Sequence, residues 1–169
     1  MAKSKPRVLL LVGSASDIPT MKKACTVLSE FGIEHELTIA SAHRSPERAL
    51  RLAGGAEKRG IRVIIAGAGL AAHLAGVVAA HTSLPVIGVP MNGGPLNGLD
   101  ALLSTVQMPP GVPVGTMAIG EAGAANAGYL AARILGLSDP AIAKKLSGHR
   151  ARMAAMVDEA AAHIEMGNK

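Results

Sequence analysis

The sequence predicts an α/β fold in which a three-layer, doubly wound parallel sheet carries helices on both faces. Apolar runs of strand length alternate five times with segments whose apolar residues recur at helical spacing. The first run, from Arg7 to Gly13, is apolar after its arginine, which is typical of a strand buried on both faces. The chain has 169 residues, of which 49% are hydrophobic and 17% charged, and this fits one compact domain with a sizeable core.

The elements follow one another in a regular order. Four further strands are predicted over Leu37 to Ser41, Val63 to Ala66, Val86 to Val89 and Val114 to Ile119. Helices are predicted from Pro19 to Phe31, Ser45 to Gly60, the Gly67-Ala68-Gly69 loop to about Ala80, about Leu99 to Val106 and about Ala122 to Leu135. Five strand–helix units in this order predict a sheet of the flavodoxin-like type, whose ligands bind beyond the carboxyl ends of the strands.

We expect one domain over residues 1–169, with its core in residues 7–136. A further helix is predicted over about 139–164 with no strand after it, and we expect it to pack on a neighbouring subunit. Between Val63 and Ala132 the only charged residues are Asp100 and Glu121. So little charge predicts that part of this surface is covered in an oligomer, with a large core in a monomer as the alternative.

The composition limits the function classes. The formal net charge is +5, but the chain has one Tyr, one Phe and no Trp, whereas readers of single-stranded nucleic acid stack bases on aromatic side chains. We therefore expect no nucleic-acid partner, and instead a small anion such as a phosphorylated metabolite. The N-terminal apolar run is too short for a signal peptide, and prolines interrupt the longest chargeless stretch, so we expect no membrane span. The lone Cys25 cannot form a disulfide within the chain, which suits the cytoplasm.

The loop after the first strand reads Gly13-Ser14-Ala15-Ser16-Asp17. Hydroxyls and free N–H groups at a helix N-terminus attract phosphate, and a carboxylate accepts hydrogen bonds from ribose hydroxyls. Ser14, Ser16 and Asp17 are therefore candidate ligand-binding residues. The alternative interpretation is that Ser16 or Asp17 only caps the following helix.

The second strand ends in Ser41-Ala42-His43-Arg44-Ser45-Pro46, which places a histidine and an arginine at the same edge of the sheet. Arg44 offers permanently charged donors for a phosphate. His43 can exchange a proton at cellular pH, because the ordinary pKa of histidine is about 6.5. The alternative is a solvent-facing histidine beside an arginine in the helix cap.

The third strand opens into Gly67-Ala68-Gly69, whose small residues let the backbone approach a ligand. His73 follows in the first turn of the next helix, either as a second polar group of the site or as a structural residue. The sequence has no metal-ligand cluster, no GxGxxG pattern and no phosphate-binding GxxxxGK[ST]. We therefore expect no metal and no cofactor.

Six blocks of the sequence carry a family resemblance: GSASD, SAHRSP, AGAGLAAHLAG, LPVIGVP, QMPPGVPVGTMAIG and AGAANA, between Arg7 and Leu135. In order and spacing they resemble the N5-carboxyaminoimidazole ribonucleotide mutase family of bacterial purine biosynthesis. The resemblance implies an isomerase that converts N5-carboxyaminoimidazole ribonucleotide to 4-carboxy-5-aminoimidazole ribonucleotide without ATP, metal or organic cofactor. It also implies a homo-octamer whose active sites are shared between neighbouring subunits.

The resemblance implies a role for each candidate residue. Ser14 and Ser16 would hold the substrate phosphate, which Arg44 would neutralise, and Asp17 would bind the ribose hydroxyls. His43 would be the general acid and base of a decarboxylation to aminoimidazole ribonucleotide and trapped carbon dioxide, followed by recarboxylation at carbon. Further site residues implied by the matching blocks are Ser41, His73, Gly67, Ala68 and Gly69, with the loop from Gln107 to Pro113 as a cover from the same or an adjacent subunit.

The chain departs from the family pattern within one of these blocks. Family members commonly read AGAGGAAHLPG, so Leu70 replaces a glycine and Ala75 replaces a proline. If position 70 needs a positive φ, or if its side chain enters the pocket, we expect weaker ligand binding or a shifted helix.

Three other interpretations stay open. The first is the related carboxylase, which takes aminoimidazole ribonucleotide and carbon dioxide directly. The second is a nucleotide- or flavin-binding module without catalysis, in which His43 would contribute only to affinity. The third is a response-regulator-like domain, which would need an acidic cluster for which Asp17 and Asp100 are the only candidates.

Overall fold

The computed structural model describes residues 5–167; residues 1–4 and 168–169, which the sequence prediction includes in the same domain, lie outside the described residues. The strands are β1 (Val8–Val12), β2 (His35–Ile39), β3 (Val63–Ala68), β4 (Val86–Pro90) and β5 (Gly115–Thr116). The helices are α1 (Ile18–Glu30), α2 (Pro46–Gly54), α3 (Leu74–Ala79), α4 (Leu99–Val106), α5 (Gly120–Gly136) and α6 (Pro140–Gly167). The strands form one parallel sheet in the order β2-β1-β3-β4-β5, and the predicted flavodoxin-like fold is confirmed.

The interior strand β1 is buried on both faces of the sheet, and its successive side chains point to opposite sides. Val8, Leu10 and Val12 belong to the core cluster that also contains buried residues of α1 and α5. Leu9 and Leu11 belong to the second cluster, with buried residues of α2 and α3. β1 therefore contributes side chains to both hydrophobic clusters, one on each face of the sheet.

Several predicted boundaries are wrong. The fifth strand was expected over Val114 to Ile119, but β5 has two residues, although the Met117 N–H still donates to the Gly88 carbonyl at 2.9 Å. Prolines in the preceding loop and the left-handed Gly120 (φ +76°) after it leave little extended backbone at this sheet edge. β2 begins and ends two residues earlier than predicted.

Two helices are shorter than predicted. α2 ends at Gly54, where two adjacent glycines weaken it, and a 3₁₀ turn (Glu57–Arg59) follows instead of a continuous helix to Gly60. α3 has only six residues, because the chain first passes through a turn at Leu70 with φ +54°. His73 is consequently the residue before this helix and not part of its first turn.

The last helix, α6, is anchored to the domain at its first turn. Asp139 accepts a hydrogen bond from the Ala141 N–H at 3.1 Å and a salt bridge from Arg7 Nη1 at 2.6 Å. Ile142 and Leu146 then pack on the core cluster around α5. The second half of the helix is different, since residues 151–166 are exposed at every position. No helix within residues 5–167 is both long and apolar enough to cross a bilayer.

We predict that Gly128, in the middle of α5, tolerates no side chain. A Cβ at this position would lie 2.9 Å from Val27 Cβ and 3.0 Å from the Ala24 carbonyl oxygen, on α1. Overpacking costs about 1–3 kcal/mol, whereas alanine gains about 1 kcal/mol over glycine in a helix. Gly128→Ala should therefore lower the midpoint of thermal unfolding, measured by circular dichroism.

Gly148 in α6 is the matched control, because a Cβ there would meet only Arg152 Nη1, at 3.6 Å. Gly148→Ala should raise the midpoint, through a gain of about 0.5–1 kcal/mol in backbone entropy. Shifts of the same sign and size in both variants would show that the close approach of α1 and α5 does not require glycine.

Candidate active site

A cavity of about 680 Å³ lies beyond the carboxyl ends of β1, β2, β3 and β4. Val12 pairs with Ile39 on one side and with Gly67 on the other, so the loops after the first three strands leave the sheet at the same level. The cavity is lined by Gly13, Ser14, Ser16, Asp17, Ser41, Ala42, His43, Arg44, Ala68, Gly69, Leu70, Ala71, His73, Leu74, Met91, Asn92, Gly93 and Gly94. Nearly all candidate residues from the sequence are therefore brought together.

The loop after β1 presents two hydroxyls and a carboxylate to the cavity. Ser14 Oγ accepts a hydrogen bond from Ser16 Oγ at 3.0 Å and caps the 3₁₀ turn (Ala15–Asp17) by accepting from the Ser16 N–H. Asp17 precedes α1 but makes no side-chain capping bond. Ser14 thus caps the 3₁₀ turn, and Asp17 does not cap α1; its carboxylate accepts a hydrogen bond from Ser16 Oγ at 3.4 Å and lines the cavity.

Burial raises the pKa of the Asp17 carboxyl above its ordinary value, although the hydrogen bonds from Ser16 and Ser14 and the charge of Arg44 act in the opposite direction. A partly desolvated carboxylate gains more from hydroxyl donors than a fully solvated one does. This makes Asp17 the acceptor in the cavity that is best suited to a polyhydroxylated ligand.

The loop after β2 is fixed by its own serines. The Arg44 N–H donates to Ser41 Oγ at 3.1 Å, and Ser45 Oγ bonds with the backbone of Ser41 instead of capping α2. Arg44 Nη2 donates to the Gly13 carbonyl at 3.0 Å, which holds the guanidinium across to the loop after β1. The permanent positive charge therefore stands beside the hydroxyls of Ser14 and Ser16 in the cavity wall.

Two histidines meet in the cavity from different strands. His43 Nε2 lies 2.8 Å from His73 Nδ1, and the ring planes stand at 84° with centroids 4.9 Å apart. A hydrogen bond between two imidazoles requires a proton on one nitrogen and a lone pair on the other. The tautomers of the two rings are therefore coupled through this hydrogen bond.

Gly67 is the one candidate that does not line the cavity. It lies inside β3, and a Cβ there would come within 2.4 Å of the Met91 and Met21 methyl carbons. Its carbonyl accepts a hydrogen bond from the Gly13 N–H at 3.1 Å. The glycine is thus needed for packing within the sheet. The predicted cover, residues 107–113, also contributes nothing to the cavity within this chain.

The segment from Met91 to Gly94 lines the cavity but is not among the site residues predicted from the sequence. It follows β4, and its residues Asn92, Gly93 and Gly94 form one wall of the cavity. The signal was available, because this glycine-rich loop directly follows a predicted strand, and the carboxyl ends of the strands are where ligands bind in such a sheet. Within residues 5–167 there is no group of three or more side chains placed to hold a metal ion.

Comparison with known proteins decides the family. Residues 7–156 match the family described as AIR carboxylase. The chain belongs to this family. In this AIR carboxylase family, similar curated proteins carry the name N5-carboxyaminoimidazole ribonucleotide mutase. That of Thermotoga maritima is 57% identical over 160 residues, which are 95% of this chain and 92% of the relative. That of Pyrococcus horikoshii is 54% identical over 165 residues, with 98% and 92% covered.

Two solved structures share the fold. The crystal structure of Treponema denticola PurE has a TM-score of 0.81 at 29% identity and covers 92% of this chain and 96% of that one. A PurE2 variant from the same organism has a TM-score of 0.83 at 28% identity, with 94% and 98% covered. Residues 7–156, the part matched by the family, contain the whole cavity.

We predict a pH-dependent effect of Asp17 on stability. Because the pKa of this carboxyl is raised above 3.8 in the folded protein, the folded state holds the proton more tightly than the unfolded chain. The resulting stability is present below pH 3.8 and is lost as the pH rises through the raised pKa. Asparagine does not ionise, so Asp17→Asn does not lose this stability. The difference in unfolding midpoint, variant minus unsubstituted protein, should therefore increase from about pH 3.5 to pH 7.

Asp139→Asn is a control of opposite sign. The hydrogen bond from Arg7 lowers the pKa of Asp139 below 3.8, so this carboxylate stabilises the fold above that pH, and the effect is lost as the pH falls. The midpoint of Asp139→Asn relative to the unsubstituted protein should therefore decrease over the same range. Parallel pH profiles for the two variants would contradict the assignment of a desolvated Asp17.

Proposed function

We propose that this protein is an N5-carboxyaminoimidazole ribonucleotide mutase of de novo purine biosynthesis. The observation that carries the proposal is one cavity in which a hydrogen-bonded histidine pair faces an arginine, two serine hydroxyls and a partly desolvated carboxylate. Such a set binds a phosphorylated sugar at one end and exchanges protons at the other. The names of the similar proteins support this choice of substrate.

The polar groups of the cavity bind different parts of the substrate. Arg44 neutralises the phosphate, and the hydroxyls of Ser14 and Ser16 donate hydrogen bonds to it. Asp17 accepts hydrogen bonds from the ribose hydroxyls. In this arrangement the imidazole ring of the substrate lies toward the His43–His73 pair and the walls formed by the loops after β3 and β4.

The chemistry requires one proton to be given and one to be taken. In the first step the N–C bond breaks, the His43 imidazolium gives its proton to the exocyclic nitrogen, and carbon dioxide is released inside the cavity. In the second step C4 of the aminoimidazole attacks carbon dioxide, and the C4 proton returns to the same imidazole. Protons and electrons balance over the cycle, so no oxidant, ATP or organic cofactor is consumed.

His73 positions the general acid and base. Its hydrogen bond to His43 Nε2 fixes the plane and tautomer of that ring, in the way that a second group orients the base of other proton-transfer sites. The loops that bring Ala68 and Gly69 to the cavity wall have small residues, which let the backbone lie close to the transferred carboxylate.

A second candidate is aminoimidazole ribonucleotide carboxylase, which the description of the matched family favours. The same cavity would bind aminoimidazole ribonucleotide, and carbon dioxide would come from solution. An ultraviolet assay without cofactors, at low bicarbonate, distinguishes the two. Turnover of the N5-carboxylated substrate alone establishes the mutase, whereas turnover of aminoimidazole ribonucleotide that rises with bicarbonate, without use of the other substrate, establishes the carboxylase. Binding without any turnover would leave a nucleotide-binding module.

We predict that His43→Asn nearly abolishes isomerisation and leaves ligand binding largely intact. Asparagine keeps a hydrogen-bonding group at this position but cannot carry the proton, and general acid–base catalysis contributes about 10²–10⁴-fold. The measurements are kcat with the N5-carboxylated substrate and the dissociation constant of the product by calorimetry. Wild-type turnover in this variant would remove His43 from the mechanism.

Arg44→Ala is the complementary variant, because it removes the phosphate partner and not the proton carrier. A lost hydrogen bond to a charged group costs about 1.5–3 kcal/mol, so the ligand dissociation constant should rise more than about tenfold while kcat at saturation changes less. Arg51→Ala serves as the matched control, since Arg51 is exposed on α2 and lies outside the cavity. It should leave both quantities unchanged.

We further propose that the enzyme is a cytoplasmic homo-octamer with active sites shared between subunits. The number eight and the shared sites come from the family resemblance in the sequence, and the lone Cys25 supports the location. The support for assembly comes from α6. Ile142 and Leu146 on one stripe of this helix are packed on the core, and Val157 on the same stripe is 68% exposed.

We predict that a charge on this stripe breaks the assembly. Val157→Asp should reduce the mass measured by analytical ultracentrifugation below eight copies of the 17.1 kDa chain. Ala155→Asp introduces the same charge on the opposite side of the helix and should leave the mass unchanged. If both variants keep the mass of the unsubstituted protein, the exposed stripe of α6 is not an interface.

A further inference from the structure

Leu70 is in a conformation that a leucine rarely adopts. Its φ is +54°, in the left-handed region where the Cβ crowds the following backbone, and its side chain is 54% exposed. Strain and exposed apolar surface both act against the stability of the fold. Residues held in this way concentrate at sites where the conformation serves function.

The side chain of Leu70 contacts one neighbour from a different loop. Its Cδ2 lies over the α-carbon of Gly94, so close that a Cβ on Gly94 would come within 2.4 Å of it. Gly94 has φ +66° and belongs to the cavity wall after β4, whose residues 92–97 are all exposed. Leu70 therefore joins the loop after β3 to a loop whose residues 92–97 are exposed.

The other large apolar residues of the cavity wall do not have this position. Leu74 and Met91 line the same cavity but are 1% and 3% exposed, so their side chains belong to the core. Leu70 alone among these three stands on the surface of the cavity while contacting the loop after β4. The positive φ of Leu70 acts against stability, while its contact with Gly94 connects the loops after β3 and β4.

We propose that Leu70 is a positioning residue that preorganises the loop of residues 92–97 for substrate binding. A loop already held in its bound conformation loses less conformational entropy when the ligand arrives, and the gain is in affinity. The inference rests on the proposed function for the identity of the ligand, an imidazole ribonucleotide. It reverses the weaker binding expected from the sequence for a leucine with a positive φ, because the strain is already present without ligand and the contact with Gly94 favours the bound loop. It concerns binding and not the proton transfer by His43.

The test compares Leu70→Gly with the unsubstituted enzyme. Glycine adopts a positive φ without strain, so the variant should fold with no lower unfolding midpoint, while the dissociation constant for aminoimidazole ribonucleotide should rise about fivefold to tenfold. The value of kcat at saturation should stay within about twofold, because the loop reaches the same bound state. Amide hydrogen exchange in residues 92–97 should be faster than in the unsubstituted protein without ligand, and equal to it with ligand.

Two control variants separate the contact from general effects. Leu70→Met keeps a side chain long enough to reach Gly94 and should retain the affinity of the unsubstituted protein. Leu103→Ala removes a leucine of similar exposure from α4, outside both this loop and the cavity, and it should leave affinity nearly unchanged. A Leu70→Gly variant with unchanged affinity and unchanged exchange in residues 92–97 would overturn the proposal, as would a lowered unfolding midpoint with a lowered kcat.

The same measurements distinguish failure of the proposed function. If the unsubstituted protein turns over neither ribonucleotide but binds aminoimidazole ribonucleotide, and Leu70→Gly weakens that binding and speeds loop exchange, the positioning role stands and the mutase does not. If the unsubstituted protein does not bind aminoimidazole ribonucleotide at all, both are overturned.

Discussion

The parallel pairing of β1 with β2 and β3 is the constraint on which the site depends. Val12 stands opposite both Ile39 and Gly67, so three chain segments distant in sequence leave the sheet side by side. His43 and His73 are thirty residues apart and reach 2.8 Å only because of this register. A shift of one residue in either pairing would turn the strand side chains to the opposite face and separate the two rings.

Small residues at this edge of the sheet serve either packing in the core or the wall of the cavity. Gly67 and Gly69 are only two residues apart, but Gly67 lies inside β3, where its α-carbon faces the methyl groups of Met21 and Met91. A glycine next to a ligand site therefore need not approach the ligand. The chain uses Gly67 to let two methionines fill the core and leaves the approach to Ala68 and Gly69.

The sequence predicts the fold well because hydrophobic periodicity is set by burial on the two faces of the sheet, and β1 shows that directly. It also brings Ser14, Asp17, His43 and Arg44 to one edge through the carboxyl-end rule. The length of β5 and the start of α3 could not be predicted from the sequence, because they depend on edge pairing and on the turn at Leu70. The hydrogen bond between the histidines depends on side-chain geometry that spacing does not encode.

The site concentrates features that act against folding, and the rest of the domain compensates for them. Asp17 is partly desolvated and Leu70 is strained, whereas the central strands supply side chains that are almost entirely buried on both faces. The buried strands supply stability and the loops supply the groups of the site, so loops of serine, glycine and alanine can form a defined cavity. Each loop begins at the end of a strand that is hydrogen-bonded into the sheet, so the sheet fixes where the loop starts.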